Sequence, residues 1–151
     1  MVSPVSNTSP GNNIFDRSYE ILEAVGRGRN SVVYRARKLT PHFKHDEIVA
    51  LKVLLGTPKQ RFSNLKRMRR EALAMLACRH NNVVRLNDYV ATSDLCYLSM
   101  EYCDGGDLRA LLEQRAAALP MPPAIHMTLQ VLRGLEAVHR AGVIHRDIKP
   151  E

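Results

Sequence analysis

The chain has 151 residues, of which 45% are hydrophobic and 25% charged, a length and composition that favour one globular domain with its own core. A run of about 18 apolar residues is absent, and the first residues lack the basic start and apolar middle of a signal peptide. Three cysteines without CxxC spacing argue against a disulfide framework or a cysteine metal site. For these residues, the features argue against a membrane-spanning or secreted class and predict a cytoplasmic location without a metal site.

The formal net charge of +7 is unevenly distributed along the chain. One short stretch holds six cations: Lys59, Arg61, Lys66, Arg67, Arg69 and Arg70. Such a cluster can mark a nucleic-acid site, or it can be the solvated face of a helix. Because no aromatic residues interleave with the cations, we favour the solvated face and expect no nucleic-acid partner.

The first residues differ in composition from the rest of the chain. The stretch MVSPVSNTSPGNN is uncharged and rich in Ser, Asn and Pro. Such a composition cannot bury enough apolar surface to offset the entropy of ordering. We therefore predict a disordered leader over residues 1–18.

The next part of the chain has the patterns of strands and one helix. Alternation or short apolar runs predict strands at YEILEAV, SVVYRAR, EIVALKVLL, VVRLNDYV and CYLSME. Apolar residues at helical spacing predict a helix from about Asn64 to Cys78, between the third and fourth strands. A turn at Thr92–Asp94 joins the last two strands. This part is therefore expected to be mostly antiparallel.

Helical patterns follow the Gly105-Gly106 pair. Asp107 is suited to the N-cap of a helix that runs to about Ala118. Three prolines at 120, 122 and 123 open a second helix, which runs to about Ala141 and ends at Gly142. The fold class is therefore α+β, with a β-rich lobe, a hinge near 101–104 and an α lobe, and a cleft between lobes is a favoured ligand site.

The turn between the first two strands is GRGRNSVVY, from Gly26 to Tyr34. Glycines at positions 26 and 28 would let backbone N–H groups approach a polyphosphate without interference from a Cβ atom. The same spacing also occurs in hairpins without a ligand, so the motif alone does not decide.

Lys52 lies on the same face of its predicted strand as Ile48, Ala50 and Leu54. A lysine there must either pair with an anion or extend to water. Glu71 lies on the apolar face of the predicted helix and is a candidate partner. Its alternative partner is Arg67, one helical turn earlier.

Five motifs occur in one order: GRGRNSVV, VALK, the helical Glu71, EYCDGGDL and VIHRDIKPE. In this order they resemble the glycine-rich loop, strand-three lysine, helix C glutamate, hinge and catalytic loop of eukaryotic-type serine/threonine protein kinases. The resemblance covers about Tyr19 to Glu151. It implies a kinase N-lobe over 19–100, a hinge over 101–106 and the start of the C-lobe over 107–151.

The resemblance also implies roles for named residues in binding ATP. Gly26, Gly28 and Ser31, which replaces the third glycine of the loop, would cover the phosphates, and Lys52 oriented by Glu71 would hold two of them. The other residues implied to bind the nucleotide are Val33 and Ala50 around the adenine, Met100 as gatekeeper, Glu101 and Cys103 at the adenine edge, and Asp107 at the ribose. The N-cap interpretation of Asp107 is compatible with the last role.

In the catalytic loop the resemblance makes Asp147 the acceptor of the substrate hydroxyl proton and Lys149 a cation that neutralises the transferring phosphate. Lys149 is also the residue that favours serine/threonine over tyrosine specificity. The family's Mg²⁺ ligands are an asparagine one position beyond Glu151 and the aspartate of a later DFG motif. We therefore expect these residues to be a fragment that is inactive alone.

Two functions are compatible with the sequence. The first is ATP-dependent phosphorylation of serine and threonine hydroxyls in proteins by the intact kinase. The second is a catalytically inactive, kinase-like module that binds nucleotide or a protein. Lys52, Glu71 and Asp147 favour the first, because a module that only binds need not keep them.

Overall fold

The computed structural model describes residues 14–39, 47–56, 58–92, 95–115 and 118–150. Six strands and three helices occur in these ranges: β1 (Ile14–Phe15), β2 (Tyr19–Arg27), β3 (Ser31–Lys38), β4 (Glu47–Leu54), α1 (Pro58–Ala77), β5 (Leu86–Ala91), β6 (Cys96–Glu101), α2 (Leu108–Glu113) and α3 (Met121–Arg140). The strands form one sheet in the order β1-β2-β3-β4-β6-β5, and every neighbouring pair is antiparallel. The predicted α+β class and the antiparallel character of the sheet are confirmed.

The start of the described chain differs from the prediction. Residues 14–18, which we assigned to the disordered leader, form β1 and a turn, and Phe15 pairs with Tyr19 of β2. A two-residue strand is too short to produce a periodic signal in the sequence. The remainder of the predicted leader lies outside the described residues.

The helices also differ from prediction at their ends. Helix α1 begins at Pro58, earlier than the predicted Asn64, because proline fits the first turn of a helix, where its missing N–H is not needed. Helix α2 ends at Glu113 and not near Ala118. Its last turn tightens, since the N–H of Arg115 donates to the carbonyl of Leu112.

Helix α3 ends at Arg140, close to the end near Ala141 that the sequence predicted. Gly142 has a φ of +74° and its N–H donates to the carbonyl of His139 at 2.9 Å. The N–H of Val143 donates to the carbonyl of Val138 at 3.1 Å. These bonds satisfy carbonyls at the helix end, and the left-handed backbone that they need favours glycine. None of the helices in the described ranges is long and apolar enough to cross a membrane.

The described chain forms two compact units. The first contains the residues up to Ala72 together with Leu86–Tyr102, and the second contains Leu73–Arg85 together with the residues from Cys103 onward. The lobe limits that the resemblance implies, at 19–100, 101–106 and 107–151, remain predictions.

The sheet of the first unit buries a different apolar cluster on each face. Strand β4 alternates, so that Val49, Leu51 and Val53 join one cluster while Leu54 joins the other. Helix α1 covers the second face through Met68 and Ala72, which pack with Leu54. Lys52 shares the face of Leu54 by the same alternation, and this places it under α1.

In the second unit, α3 approaches the backbone of the segment before β5 closely. A Cβ atom on the buried Gly134 would lie 2.6 Å from the carbonyl oxygen of Asn82. The side-chain amide of Asn82 donates to Gln130 at 3.3 Å. Glycine is therefore required at position 134 for close packing.

The aromatic cluster of the first unit fixes β1 against β6. Tyr97 lies edge-on to Phe15 and Tyr19, with ring centroids 5.4 and 5.6 Å away. Its hydroxyl donates to a carboxylate oxygen of Asp16 at 2.8 Å. Burial, and then the bond to Asp16, raise the pKa of the Tyr97 phenol far above its ordinary value of 10.0.

This shift predicts how stability responds to alkaline pH. The folded protein binds the Tyr97 proton more tightly than the unfolded chain, so the contribution of Tyr97 is complete below about pH 10 and is lost above it. Tyr97→Phe should lower the free energy of unfolding at neutral pH by about 1 kcal/mol, and should make its fall between about pH 10 and 11 shallower. Urea titrations of the full-length protein measure both effects. If the free energy of unfolding falls equally steeply with pH in both proteins, the raised pKa of Tyr97 does not contribute to the alkaline loss of stability.

Candidate functional site

The turn between β2 and β3 is closed by its own backbone and attached to two other elements. The N–H of Gly28 donates to the carbonyl of Ser31 at 2.8 Å. Asn30 lies at the tip of the turn, and its carbonyl accepts from the N–H of Leu55 at 2.8 Å. The side-chain amide of Asn30 donates to Asn64 of α1 at 3.1 Å. The turn is therefore held to the end of β4 and to the helix.

Three of the residues expected at the nucleotide lie on one face of the sheet. In the strand register, Lys52 lies opposite Val33 on one side and Leu98 on the other. Ala50 lies opposite Met100 in the next row. Because opposite residues in an antiparallel pair point to the same face, Val33, Ala50 and Met100 share the face of Lys52. All three are half-buried.

An ion pair joins the sheet to α1 on this face. Lys52 Nζ lies 2.6 Å from Glu71 Oε1, and 25% of the lysine and 36% of the glutamate side chain are exposed. Of the two candidate partners for Glu71, the structure shows the inward one. Partial exposure screens the pair and limits its effect on stability, but its geometry fixes where the ammonium group lies.

Beside this pair is a cavity of about 310 Å³ between the turn, β4 and α1. Its lining combines charged, amide and hydroxyl side chains with two apolar ones: Arg29, Asn30, Ser31, Lys52, Leu54, Asn64, Arg67, Met68 and Glu71. Ser31, Lys52 and Glu71 were expected at the nucleotide from the sequence, whereas the others were not. Among the described residues of the lining, three cations and one carboxylate give a positive balance of charge.

The residues that follow β6 belong to the segment that resembles a kinase hinge. Glu101 is the last residue of β6 and pairs with Val49. The guanidinium of Arg35 lies 5.7 Å from the centroid of the Tyr102 ring and 3.1 Å from a carboxylate oxygen of Glu23. The sequence did not predict the contacts of Arg35 with Tyr102 and Glu23, although Arg35 shares the face of Val33 by strand alternation.

In the second unit, Cys103 is exposed, and Asp107 caps α2 as predicted. The Asp107 carboxylate accepts from the N–H of Ala110 at 2.7 Å. This bond satisfies one of the otherwise unpaired N–H groups at the start of a helix. A ribose role for Asp107 remains a prediction.

The segment His145–Pro150 has no regular secondary structure. Asp147 and Lys149 are exposed, with the lysine Nζ 3.6 Å from a carboxylate oxygen of Asp147. Arg146 has a φ of +66°, an uncommon backbone for a non-glycine residue. The carbonyl of Pro150 accepts from the N–H of Arg109 at 3.1 Å, which ties the segment to the start of α2.

The basic stretch on α1 is largely solvent-facing. Lys66, Arg67, Arg69 and Arg70 are exposed, whereas the side chains of Lys59 and Arg61 lie outside the described residues. In the described ranges, no group of three or more His, Cys, Asp or Glu side chains could hold a metal ion.

Comparison with known proteins decides the family. A family model described as the protein kinase domain matches residues 19–151. The chain belongs to the protein kinase domain family. The match contains every motif used above, from the turn at Gly26 to the catalytic-loop segment, and the observed sheet and helices agree with an N-lobe followed by the first C-lobe helices.

Relatives of this kinase domain come from bacteria, plants and animals. It is 36% identical over 138 residues to a probable serine/threonine-protein kinase of Clostridium perfringens, covering 91% of this chain and 19% of that protein. It is 34% identical over 147 residues to CBL-interacting protein kinase 30 of Oryza sativa, covering 97% and 30%. It is 36% identical over 135 residues to cyclin-dependent kinase 10 of Homo sapiens, covering 88% and 36%. The chain therefore spans about a third or less of each relative.

The ion pair generates a prediction for nucleotide binding. In the full-length protein, Lys52→Met and Glu71→Gln should each weaken ATP binding about tenfold, and the double variant should lose little more than either single one. The coupling in the free energy of unfolding should stay below about 1 kcal/mol, because the pair is partly exposed. Isothermal titration calorimetry and urea unfolding measure the two quantities.

A matched control is the exposed pair of Glu136 and Arg140 on α3, whose charged atoms also lie 2.6 Å apart. Glu136→Gln and Arg140→Gln should leave ATP affinity within about twofold. Fully additive losses at Lys52 and Glu71 would show that the pair does not act as a unit.

Proposed function

We propose that the protein transfers the γ-phosphate of ATP to serine or threonine hydroxyls of protein substrates. The observation that carries this proposal is the Lys52–Glu71 ion pair beside an electropositive cavity under the Gly26–Ser31 turn. An ammonium fixed next to a turn that is held by its own backbone suits the phosphates of a nucleotide. Membership of the kinase family supports the same activity.

The nucleotide would lie with its adenine against Val33 and Ala50. Their half-buried side chains offer an apolar surface on the face of Lys52, with Met100 beside Ala50. The backbone of Glu101 and Cys103 would bond the adenine edge, and Asp107 would meet the ribose. Lys52 would hold the α- and β-phosphates, and the N–H groups of Gly26 and Gly28 would approach the tail.

In the transfer step, Asp147 accepts the proton of the substrate hydroxyl as its oxygen bonds to the γ-phosphorus. The bond between that phosphorus and the β–γ bridging oxygen breaks, and ADP leaves. The Lys149 ammonium, 3.6 Å from the Asp147 carboxylate, offsets negative charge on the transferred group. Mg²⁺ would supply further charge neutralisation at the phosphates, and its part in the proposal rests on the resemblance alone.

Within this proposal, the transfer is specific for serine and threonine hydroxyls. This specificity is supported by Lys149, two residues after Asp147, and by the names of two bacterial relatives, each printed as a probable serine/threonine-protein kinase. The presence of both residues together with the Lys52–Glu71 pair favours catalysis over a module that only binds. A cytoplasmic location and the lack of a nucleic-acid partner also remain parts of the proposal.

Asp147→Asn tests the proposed reaction. In the full-length protein this variant should lower phosphate transfer from ATP to a serine-containing protein by a factor of about 10²–10⁴, because the general base is lost. ATP affinity should stay within about twofold. Transfer of radiolabelled phosphate and calorimetry measure these quantities.

The control is Glu136→Gln, which removes one carboxylate from an exposed position of α3 and should leave transfer unchanged. An unmodified protein that binds ATP without transferring phosphate to any hydroxyl substrate would support the binding module. Equal transfer by Asp147→Asn and the unmodified protein would remove Asp147 from the mechanism.

A further inference from the structure

The cavity beside Lys52 contains cations that the proposed mechanism does not use. Lys52 and Glu71, both in its lining, are committed to one another at 2.6 Å. Two arginines remain in the lining, Arg29 from the turn and Arg67 from α1. The described lining contains no second carboxylate, so these guanidinium groups give the cavity its positive potential.

The walls that carry the two arginines are fixed to one another. Asn30, next to Arg29, donates its side-chain amide to Asn64 at 3.1 Å. Its carbonyl accepts from the N–H of Leu55 at 2.8 Å. Asn64 lies almost one helical turn before Arg67 on α1. These hydrogen bonds within the protein hold the turn and the helix at a set separation.

The base of the cavity is apolar and buried. Leu54 and Met68 belong to the cluster between the sheet and α1, and they are 7% and 3% exposed. An anion that enters the cavity is therefore bounded by low-dielectric side chains on one side and by guanidinium groups on the other. Such an arrangement strengthens the attraction between opposite charges.

Phosphate is the ligand that this lining fits. A guanidinium group presents paired N–H donors that match two phosphate oxygens. The volume of about 310 Å³ holds several water molecules at about 30 Å³ each, and so has room for a phosphate group with part of its hydration. The Ser31 hydroxyl and the two asparagines add neutral polar groups to the same lining.

We propose that Arg29 and Arg67 form a phosphate site whose ligand is the terminal phosphate of bound ATP. The proposal rests on the proposed function and extends it, because the resemblance assigns the phosphates to Gly26, Gly28, Ser31, Lys52 and Lys149 and assigns nothing to these two side chains. The site distinguishes ATP from ADP. Once the terminal phosphate has moved to the substrate, the arginines lose their partner and ADP is held less tightly than ATP.

The test compares ATP with ADP in the full-length protein. The quantity measured is the ratio of the dissociation constants of ADP and ATP, by calorimetry, both with Mg²⁺ and with a chelator. Arg29→Gln and Arg67→Gln should each lower this ratio about tenfold, since each removes a charged hydrogen-bond partner of the phosphate. ADP affinity itself should change less than about twofold.

Arg69→Gln is the matched control. Arg69 is an exposed arginine of the same helix, two positions from Arg67, and it does not line the cavity. Its variant should leave the ratio unchanged, which separates the specific site from the general loss of one positive charge. Because Arg29, Arg67 and Arg69 are all exposed, circular dichroism should show the same folded state for all variants.

A second arm identifies the source of the phosphate. ADP affinity is measured as inorganic phosphate is added to the unmodified protein and to Arg29→Gln/Arg67→Gln. In one outcome, the arginine variants leave the ratio of the ADP and ATP dissociation constants unchanged, while added phosphate strengthens ADP binding in the unmodified protein and not in the double variant. This outcome would keep the phosphate site but assign it to a separate phosphate ion and not to ATP. If neither the ratio nor the phosphate effect depends on the arginines, the phosphate site is overturned.

The same data separate this inference from the proposed function. An unmodified protein that binds ATP and transfers phosphate, with a ratio insensitive to both arginines and no phosphate effect, rejects the arginine site alone. An unmodified protein that binds no ATP rejects the nucleotide site and the proposed activity with it.

Discussion

The placement of one charge determines the arrangement of this site. Lys52 lies near the end of β4 on the face that α1 covers, and a charge there must be paired or reach water. Glu71 satisfies it from the helix at 2.6 Å. The pair can form only if α1 packs across the sheet beside Lys52. The buried Met68 and Ala72 of α1 hold the helix in that position. The apolar contacts supply the stability, whereas the ion pair specifies the position.

The turn over the site depends on the same placement. Once α1 lies against β4, Asn64 is within reach of the turn, and its bond to Asn30 holds the tip. The bond from Leu55 to Asn30 fixes the other side. A cavity that is electropositive and partly enclosed remains between them. The proposed nucleotide site therefore forms where the turn, β4 and α1 meet within one compact unit. The strand repeat and the helical repeat orient the side chains that it uses.

Much of this arrangement could be predicted from the sequence because it depends on local periodicity. The two-residue repeat of a strand orients Lys52 and the helical repeat orients Glu71, so the pair could be inferred from the sequence alone. The bond between Asn30 and Asn64 could not, because neither residue has a pattern that signals a partner in another element. The sequence did not predict strand β1, because two residues carry no period. It also predicted that α2 runs to about Ala118, whereas the helix ends at Glu113.

The central claim is that the Lys52 ammonium lies at the phosphates of bound ATP. An acyl-phosphate derivative of ATP tests it directly, because a lysine amine at the phosphates attacks the acyl carbon and retains the acyl group as ATP leaves. Peptide mass spectrometry of the labelled full-length protein should find the acyl group on Lys52, with labelling suppressed by excess ATP. Labelling that excess ATP does not suppress, or that occurs on exposed lysines such as Lys66 and not on Lys52, would contradict the claim.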